Sequence, residues 1–320
     1  MEITGRIIAV LPVQGGISKN GNEWKKQEYV LETHDQYPKK VCFQIFGADR
    51  IDQAAIQPGE ELTVFFDIDG TIWDDDMVIP ESTLEAVAAL KANGHLAFIC
   101  TGRARASVRS EKLLNMGFDG IIAACGNYIE MDGKVIYEND LSADMVQKVI
   151  RVLSECNMPV VLEGSTDYWI DEEGFEDDPY VDYLFDSLGE HAHIIKGYEG
   201  DIRVNKFSAD IIEGTDYERI KREFGDDFEI LEHVENVVEF VPKGFSKATG
   251  IEWLCNHLDI PLDETYAIGD SVNDLEMLES VGHGIAMGNS MPPVKEIAEY
   301  VTSDISDDGV KNALKHYGLI

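Results

Sequence analysis

Residues 61–73, ELTVFFDIDGTIW, restrict the possible folds more than any other stretch of the chain. Leu62, Val64, Phe65 and Phe66 come together without polar alternation. That texture belongs to a strand covered on both faces, at the centre of a parallel sheet and not at its edge. Asp67 and Asp69 follow directly, at the carboxyl end, where open α/β sheets place their chemistry. Gly70 permits a tight turn, and Thr71 brings a hydroxyl to the same loop. A carboxylate so placed can attack phosphorus when a divalent cation and fixed donors offset the repulsion between two anions. A second carboxylate two residues on can protonate the leaving oxygen and then activate water.

In a chain with 61 Asp and Glu among 320 residues, the same spacing also arises from composition, as at Asp74, Asp75 and Asp76. Those three follow no strand and read as loop surface. The formal net charge of -35 argues against a nucleic-acid backbone or an anionic membrane surface as partner. If the substrate carries phosphate, a local group of Arg and Lys must overcome that field. Cys42, Cys100, Cys125, Cys156 and Cys255 are odd in number and lack metal-ligand spacing, so they read as free thiols of a reducing compartment. No signal-peptide pattern opens the sequence and no apolar run reaches membrane-spanning length; the expected location is cytoplasmic.

Residues 1–61 hold 7 Lys and Arg against 9 Asp and Glu, whereas the remainder holds 19 against 52, so a seam is visible in composition. GRIIAVLPVQGG, EWKKQEYVLETH and KKVCFQIFG read as short strands between Gly, Asn and Pro turns, with alternation at Tyr29, Leu31 and Thr33. Residues 51–56 read as a helical turn. The text from MEITGRIIAVLP through ELTVFFDID resembles a small bacterial domain family of unknown function with an OB-like fold. In that family the strand equivalent to residues 62–68 is followed by others that complete the domain. Here the sequence turns into DxDGT instead, so one strand serves two patterns and the small barrel is left partial. The unpaired edge this implies is compatible with a homodimer. Trp24, Lys25, Lys26, Lys39 and Lys40 offer the groups with which OB-like folds take single strands. A solvated basic patch is the plainer reading, and no nucleic acid is expected.

Pro80, Glu81 and Ser82 open a helix that stops at Asn93 and Gly94. HLAFICTGR is a second buried strand, ending at Thr101, Gly102 and Arg103, with Arg105 and Arg109 on a helix after it. FDGIIAACG is a third, ending at Cys125 and Gly126, and NYIEMDGKVIYEN is a hairpin turning at Asp132 and Gly133. Residues 141–237 hold a second α/β unit, with helices in SADMVQKVIRVLSECN, DDPYVDYLFDSLGEH and TDYERIKREFG. Its strand texture lies in MPVVLEGSTDYWI, DIRVNKFSADII and FEILEHVENVVEFVPKG. Lys206 with Asn205 beside it, and Glu163, Tyr168 and Trp169, are its candidates for meeting a substrate; an exposed strand lysine and a core tryptophan are the structural alternatives. Lys247 then opens the helix of KATGIEWLCNHL. A lysine there opposes the helix dipole unless it has an anionic partner. LDETYAIGDSVNDL gives a strand ending at Gly269 and Asp270, with Ser271, Asn273 and Asp274 in the turn that follows.

A strand with DxDGT, a strand with Thr-Gly, a lysine at a helix start and a GDSxND turn, in this order over residues 62–319, resemble the haloacid dehalogenase superfamily. The inserted unit resembles the C2-type cap of its Cof-like branch, subfamily IIB. The resemblance implies an α/β fold with a Rossmann-like core and parallel sheet at 62–140 and 238–320. It implies an inserted α/β cap at 141–237, joined to a β-rich, partial OB-like segment at 1–61. It implies Mg2+ at Asp67, the Asp69 backbone carbonyl and Asp270, with Asp274 holding metal-bound water or Lys247. Hard oxygen ligands at separated strand ends suit that ion. Asp67 is then the nucleophile and Asp69 the acid and base. Thr101 and Lys247 hold phosphoryl oxygens, and Gly70, Gly102, Arg103, Asn205, Lys206 and Asn273 surround the substrate. The branch often carries Asn where Cys125 stands here. Gly288 and Asn289 resemble its AMGN segment, and Asp307, Asp308 and Gly309 its terminal loop, though turns and caps explain these as well. The implied activity is hydrolysis of a small phosphorylated metabolite, such as a sugar phosphate or a phosphorylated cofactor. A phosphosugar mutase of the same superfamily and a binding protein acting through residues 1–61 are the alternatives.

Overall fold

The computed structural model describes residues 5–17, 23–33, 39–48, 50, 62–172, 174–175, 178–233 and 236–320, and within them the strands form three sheets. The first holds β1 (Gly5–Val10), β2 (Gln14–Ile17), β3 (Glu23–Thr33) and β4 (Lys40–Phe46), all antiparallel. β3 is long enough for β1 and β2 to share one of its edges while β4 takes the other. β4 alternates between exposed and half-buried positions, and Phe43 stacks on the buried Tyr29 at 5.2 Å. Among the described residues these strands make an open sheet. Lys26 pairs with Glu28 at 2.8 Å. The helical turn expected at residues 51–56 lies outside the described residues.

The strand shared by the two sequence patterns enters the second sheet. β5 (Thr63–Phe66), β6 (Leu96–Cys100), β7 (Gly120–Ala123), β8 (Tyr128–Met131) and β9 (Lys134–Glu138) come from one side of the insertion. β10 (Val160–Glu163), β11 (Tyr168–Ile170), β12 (Ala192–Ile194), β13 (Lys206–Asp210), β14 (Phe228–Glu232) and β15 (Val237–Pro242) form the insertion's own sheet. β16 (Thr265–Gly269), β17 (His283–Ala286) and β18 (Tyr300–Val301) complete the core, in the order β18-β17-β16-β5-β6-β7-β8-β9. It is parallel from β18 to β7, and β8 and β9 close it as an antiparallel hairpin.

Both faces of this sheet are covered, which explains the unbroken apolar texture of β5. Val64 and Phe66 pack with Leu90, Val310 and Leu314 from helices Glu81–Ala92 and Gly309–His316. Phe65 points to the other face, with Ile251, Leu254 and Met277 from helices Lys247–Leu258 and Leu275–Ser280.

The inserted sheet runs β12-β11-β10-β13-β15-β14. Helices Ala143–Glu155 and Tyr217–Phe224 cover one face, where Leu162, Phe207 and Phe240 pack with Val149, Leu153 and Phe224. Phe207 and Phe240 stack at 4.5 Å across β13 and β15. Strand periodicity then sends Glu163, Lys206, Ser208 and Glu239 to the opposite face. β15 pairs with both β13 and β14, so Val237–Pro242 belong to the inserted sheet. The text of residues 158–170 is two strands, since the chain reverses between Glu163 and Tyr168, which pair with each other. Arg105 lies in a single 3-10 turn, Arg105–Ser107, and Arg109 lies outside any helix, because Ser110 caps a separate short helix, Glu111–Leu114.

Candidate active site

β5 and β16 lie side by side, Phe66 opposite Ile268, so the loops leaving their carboxyl ends emerge together. The Asp67 N–H donates to the Ile268 carbonyl at 2.9 Å, fixing the first loop to the neighbouring strand. Gly70 has φ +77, and a Cβ there would stand 2.3 Å from Asp270 Oδ2, so the two acidic loops touch only because this residue has no side chain. Thr71 Oγ1 donates to Asp270 Oδ1 at 3.2 Å. Asn289 ties the same turn down, its Nδ2 donating to the Gly70 carbonyl at 2.7 Å while its Oδ1 accepts the Ile305 N–H at 3.1 Å.

Lys247 comes to the same place from the other face of the sheet. Ser246 and Thr249 form a reciprocal capping box at the start of its helix, which fixes the first turn. Its ammonium, 2% exposed, donates to Asp67 Oδ1 and Asp274 Oδ1 at 2.6 Å each, and to Asn273 Oδ1 at 3.3 Å. Burial works against this charge, but Asp274 and Asp67 outweigh it and hold the pKa above that of an ordinary lysine. Burial and Asp274 push the Asp67 carboxyl up, with Lys247 pulling the other way. Asp274 Oδ2 also accepts the N–H groups of Asp270 and Ser271 at 3.0 Å each, so this carboxylate is fully engaged within its own turn.

Asp67, Asp270 and Asp274 each present a carboxylate oxygen within 4.8 Å of the others. Burial and the charge of Asp274 raise Asp270 to about 7. Hard oxygens crowded at this cost fit a divalent cation. Asp67 and Asp270 would hold it directly, since Asp274 is taken by Lys247 and two backbone amides.

Thr101 is buried at the end of β6, and its Oγ1 accepts the Arg103 N–H at 3.1 Å. Arg103 grips Asp69 at 2.7 Å through both Nε and Nη2, and Trp73 Nε1 donates to the same carboxylate at 2.8 Å. Partial burial would raise Asp69, but its hydrogen bond and ion pair with Arg103 dominate and hold the pKa below the usual carboxylate range.

A cavity of about 960 Å3 lies between these loops and the inserted sheet. Asp67, Asp69, Gly70, Thr101, Gly102, Arg103, Lys206, Asp270 and Asn273 line it, together with Glu163 and Tyr168. Asn205 does not: it is fully buried, and its Nδ2 donates to the Asn139 carbonyl at 2.9 Å and to Asp140 Oδ1 at 3.2 Å, pinning the chain where it crosses into the insertion. Trp169 packs among Val149, Leu153 and Phe207 instead. Lys206 is no exposed strand lysine, being 4% exposed and set between Glu163 and Glu239. Cys125 is buried at φ 53, and burial and Glu239 push its thiol up, which suits a structural residue and not a nucleophile. Glu239, His233 and Asp210, which carry no signal in the sequence, also line the cavity, and Asn289 of the AMGN segment acts on the Gly70 turn.

The model of the haloacid dehalogenase-like hydrolase family matches residues 64–314, and the chain belongs to that family. A second model, of a domain of unknown function, matches residues 2–79, so both include residues 64–79. The Bacillus subtilis (strain 168) protein YkrA is 32% identical over 269 residues, covering 80% of this chain and 98% of its own. The 5-amino-6-(5-phospho-D-ribitylamino)uracil phosphatase YitU of the same organism is 29% identical over 272 residues, covering 79% and 96%. Among solved structures, the subclass IIB sugar phosphatase BT4131 superposes with a TM-score of 0.67 at 28% identity, covering 81% of this chain and all of that one. The fold is therefore the Rossmann-like core of that superfamily with an inserted cap. No helix among the described residues is long and apolar enough to cross a membrane.

Proposed function

We propose that this chain is a Mg2+-dependent phosphatase that hydrolyses a small phosphomonoester through an aspartyl-phosphate on Asp67. One observation carries the reading: a buried ammonium joins Asp67 to Asp274 at the carboxyl ends of β5 and β16, beside a second carboxylate at Asp270. Family membership and the phosphatases among the similar proteins support a phosphoric monoester hydrolase. Mg2+, when bound, supplies positive charge that offsets the meeting of two anions. Asp67, Asp270 and the Asp69 carbonyl would hold it.

Lys247 occupies one Asp67 oxygen, leaving the other for phosphorus. Thr101 Oγ1 and the Lys247 ammonium then hold the phosphoryl oxygens, with Gly102 and Asn273 closing the same side. Asp69 gives its proton to the leaving oxygen and takes one from the water that attacks the phosphoaspartate. Arg103 keeps Asp69 ionised here, so the acid step requires that the substrate's own phosphoryl group draw the guanidinium away and that Asp69 take up a proton from solvent before it gives one to the leaving oxygen. The division we propose follows the sheets: residues 1–61, a core at 62–140 and 243–320, and a cap at 141–242.

Phosphate release from p-nitrophenyl phosphate, with Mg2+ and after chelation, tests the metal requirement. Release should fall by about 100-fold or more on chelation and return with the ion, given the several kcal/mol such ions contribute. Equal release in both conditions would remove the metal from the account.

A further inference from the structure

Beyond the phosphate-handling floor, the cap side of the cavity has a definite charge pattern. In the register of β10, β13 and β15, Glu163 stands opposite Lys206 and Ser208 opposite Glu239, all on the face turned away from the cap helices. Lys206 Nζ donates to Glu163 Oε1 at 3.1 Å and to Glu239 Oε1 at 2.7 Å, with Glu163 Oε2 at 3.0 Å, so two carboxylates already engage its charge. Arg103, the other cationic side chain on the lining, is held by Asp69. Nine carboxylates among the described residues line the cavity against these two engaged cations. A second anionic group on a substrate would find no free cation there.

Asp210 follows Ser208 on the same face, and its carboxylate has no hydrogen-bond or ion-pair partner among the described residues. Asp178 lines the cavity with it, and burial together with Asp178 raises Asp210 to about 6. The rings of Phe175, Tyr168 and Tyr180 line the cavity as well. A carboxylate without a partner complements an ammonium by ion pairing, and the aromatic residues that line the same cavity suit a cation as well. A neutral hydroxyl would leave the negative field uncompensated.

Resting on the phosphatase reading, we infer that the natural substrate is a phosphomonoester whose alcohol carries a protonated amine, received by Asp210 on the cap wall, and that alcohols bearing a second anion are rejected. Two matched series test this. One compares glucosamine 6-phosphate, glucose 6-phosphate and 6-phosphogluconate; the other compares phosphoethanolamine, 2-hydroxyethyl phosphate and phosphoglycolate. In at least one series kcat/KM should fall from amine to neutral to acid, by about 100-fold between the ends, and the spread should shrink at high salt. Asp210→Asn should bring the amine-to-neutral ratio towards one. Because that ratio is internal to each protein, partial misfolding does not imitate the result. Metal-dependent release from p-nitrophenyl phosphate with no amine preference in either series, or with a preference that Asp210→Asn leaves intact, would overturn the inference alone. No release from any of these compounds would overturn the phosphatase reading, and the inference with it.

Discussion

Asp67→Asn is expected to reduce metal-dependent phosphate release by about 10000-fold or more, in line with what removal of a nucleophile costs in other hydrolases. The amide keeps the size of the carboxylate and can still accept from Lys247, so the loop between β5 and Ile68 should hold its shape. It lacks the charge and the nucleophilic oxygen. The residual rate, measured with saturating Mg2+ and p-nitrophenyl phosphate, separates a nucleophile from a carboxylate that serves only as a metal ligand. A loss of tenfold or less, recovered by raising Mg2+, would assign Asp67 the second role.

The second large effect concerns Lys247. Lys247→Met fills a similar volume and leaves Asp67 and Asp274 facing each other without their shared cation. Removing one member of a buried charged network typically costs about 3–5 kcal/mol. In chelator, where nothing replaces the ammonium, a clear fall in the midpoint of thermal unfolding is expected. Adding Mg2+ should recover part of it, since the ion binds the same carboxylates. Activity should fall by about 100- to 1000-fold, the scale of losing one fixed electrostatic partner of the transferring group. A variant as stable as the native chain in chelator would show that the Lys247 bridge is not what holds the two loops together.

Much of this site was legible from sequence because local rules decide it. The unbroken apolar run before Asp67 fixes a central strand, and the following aspartates fall at its carboxyl end without any long-range information. Lys247 was legible through its misfit with the helix dipole, which the structure resolves with Asp67 and Asp274. The cap wall was not, because which side chains of β10, β13 and β15 share a face depends on antiparallel register across three strands far apart in sequence. For that reason Glu239 and Asp210 passed unnoticed while Asn205, one residue from Lys206, was grouped with it as a substrate contact. Arg103 was expected near the substrate with no partner named, since a strand-end arginine gives no sign of one; the partner is Asp69, 34 positions earlier. For Asn289 the AMGN resemblance and a plain turn stayed open together, because its partner, the Gly70 carbonyl, lies 219 positions away.

Transfer of the phosphoryl group through Asp67 can be caught directly. Asp69→Asn should form the intermediate from a substrate with a good leaving group but hydrolyse it slowly, because the base that activates water is gone. Mass analysis of that variant, quenched in acid during turnover of p-nitrophenyl phosphate with Mg2+, is the most direct test. A phosphoryl adduct is expected on the peptide containing Asp67, and none after the further change Asp67→Asn. Turnover that releases nitrophenol and phosphate together, with no adduct at any quench time in either the native chain or the Asp69→Asn variant, would contradict it.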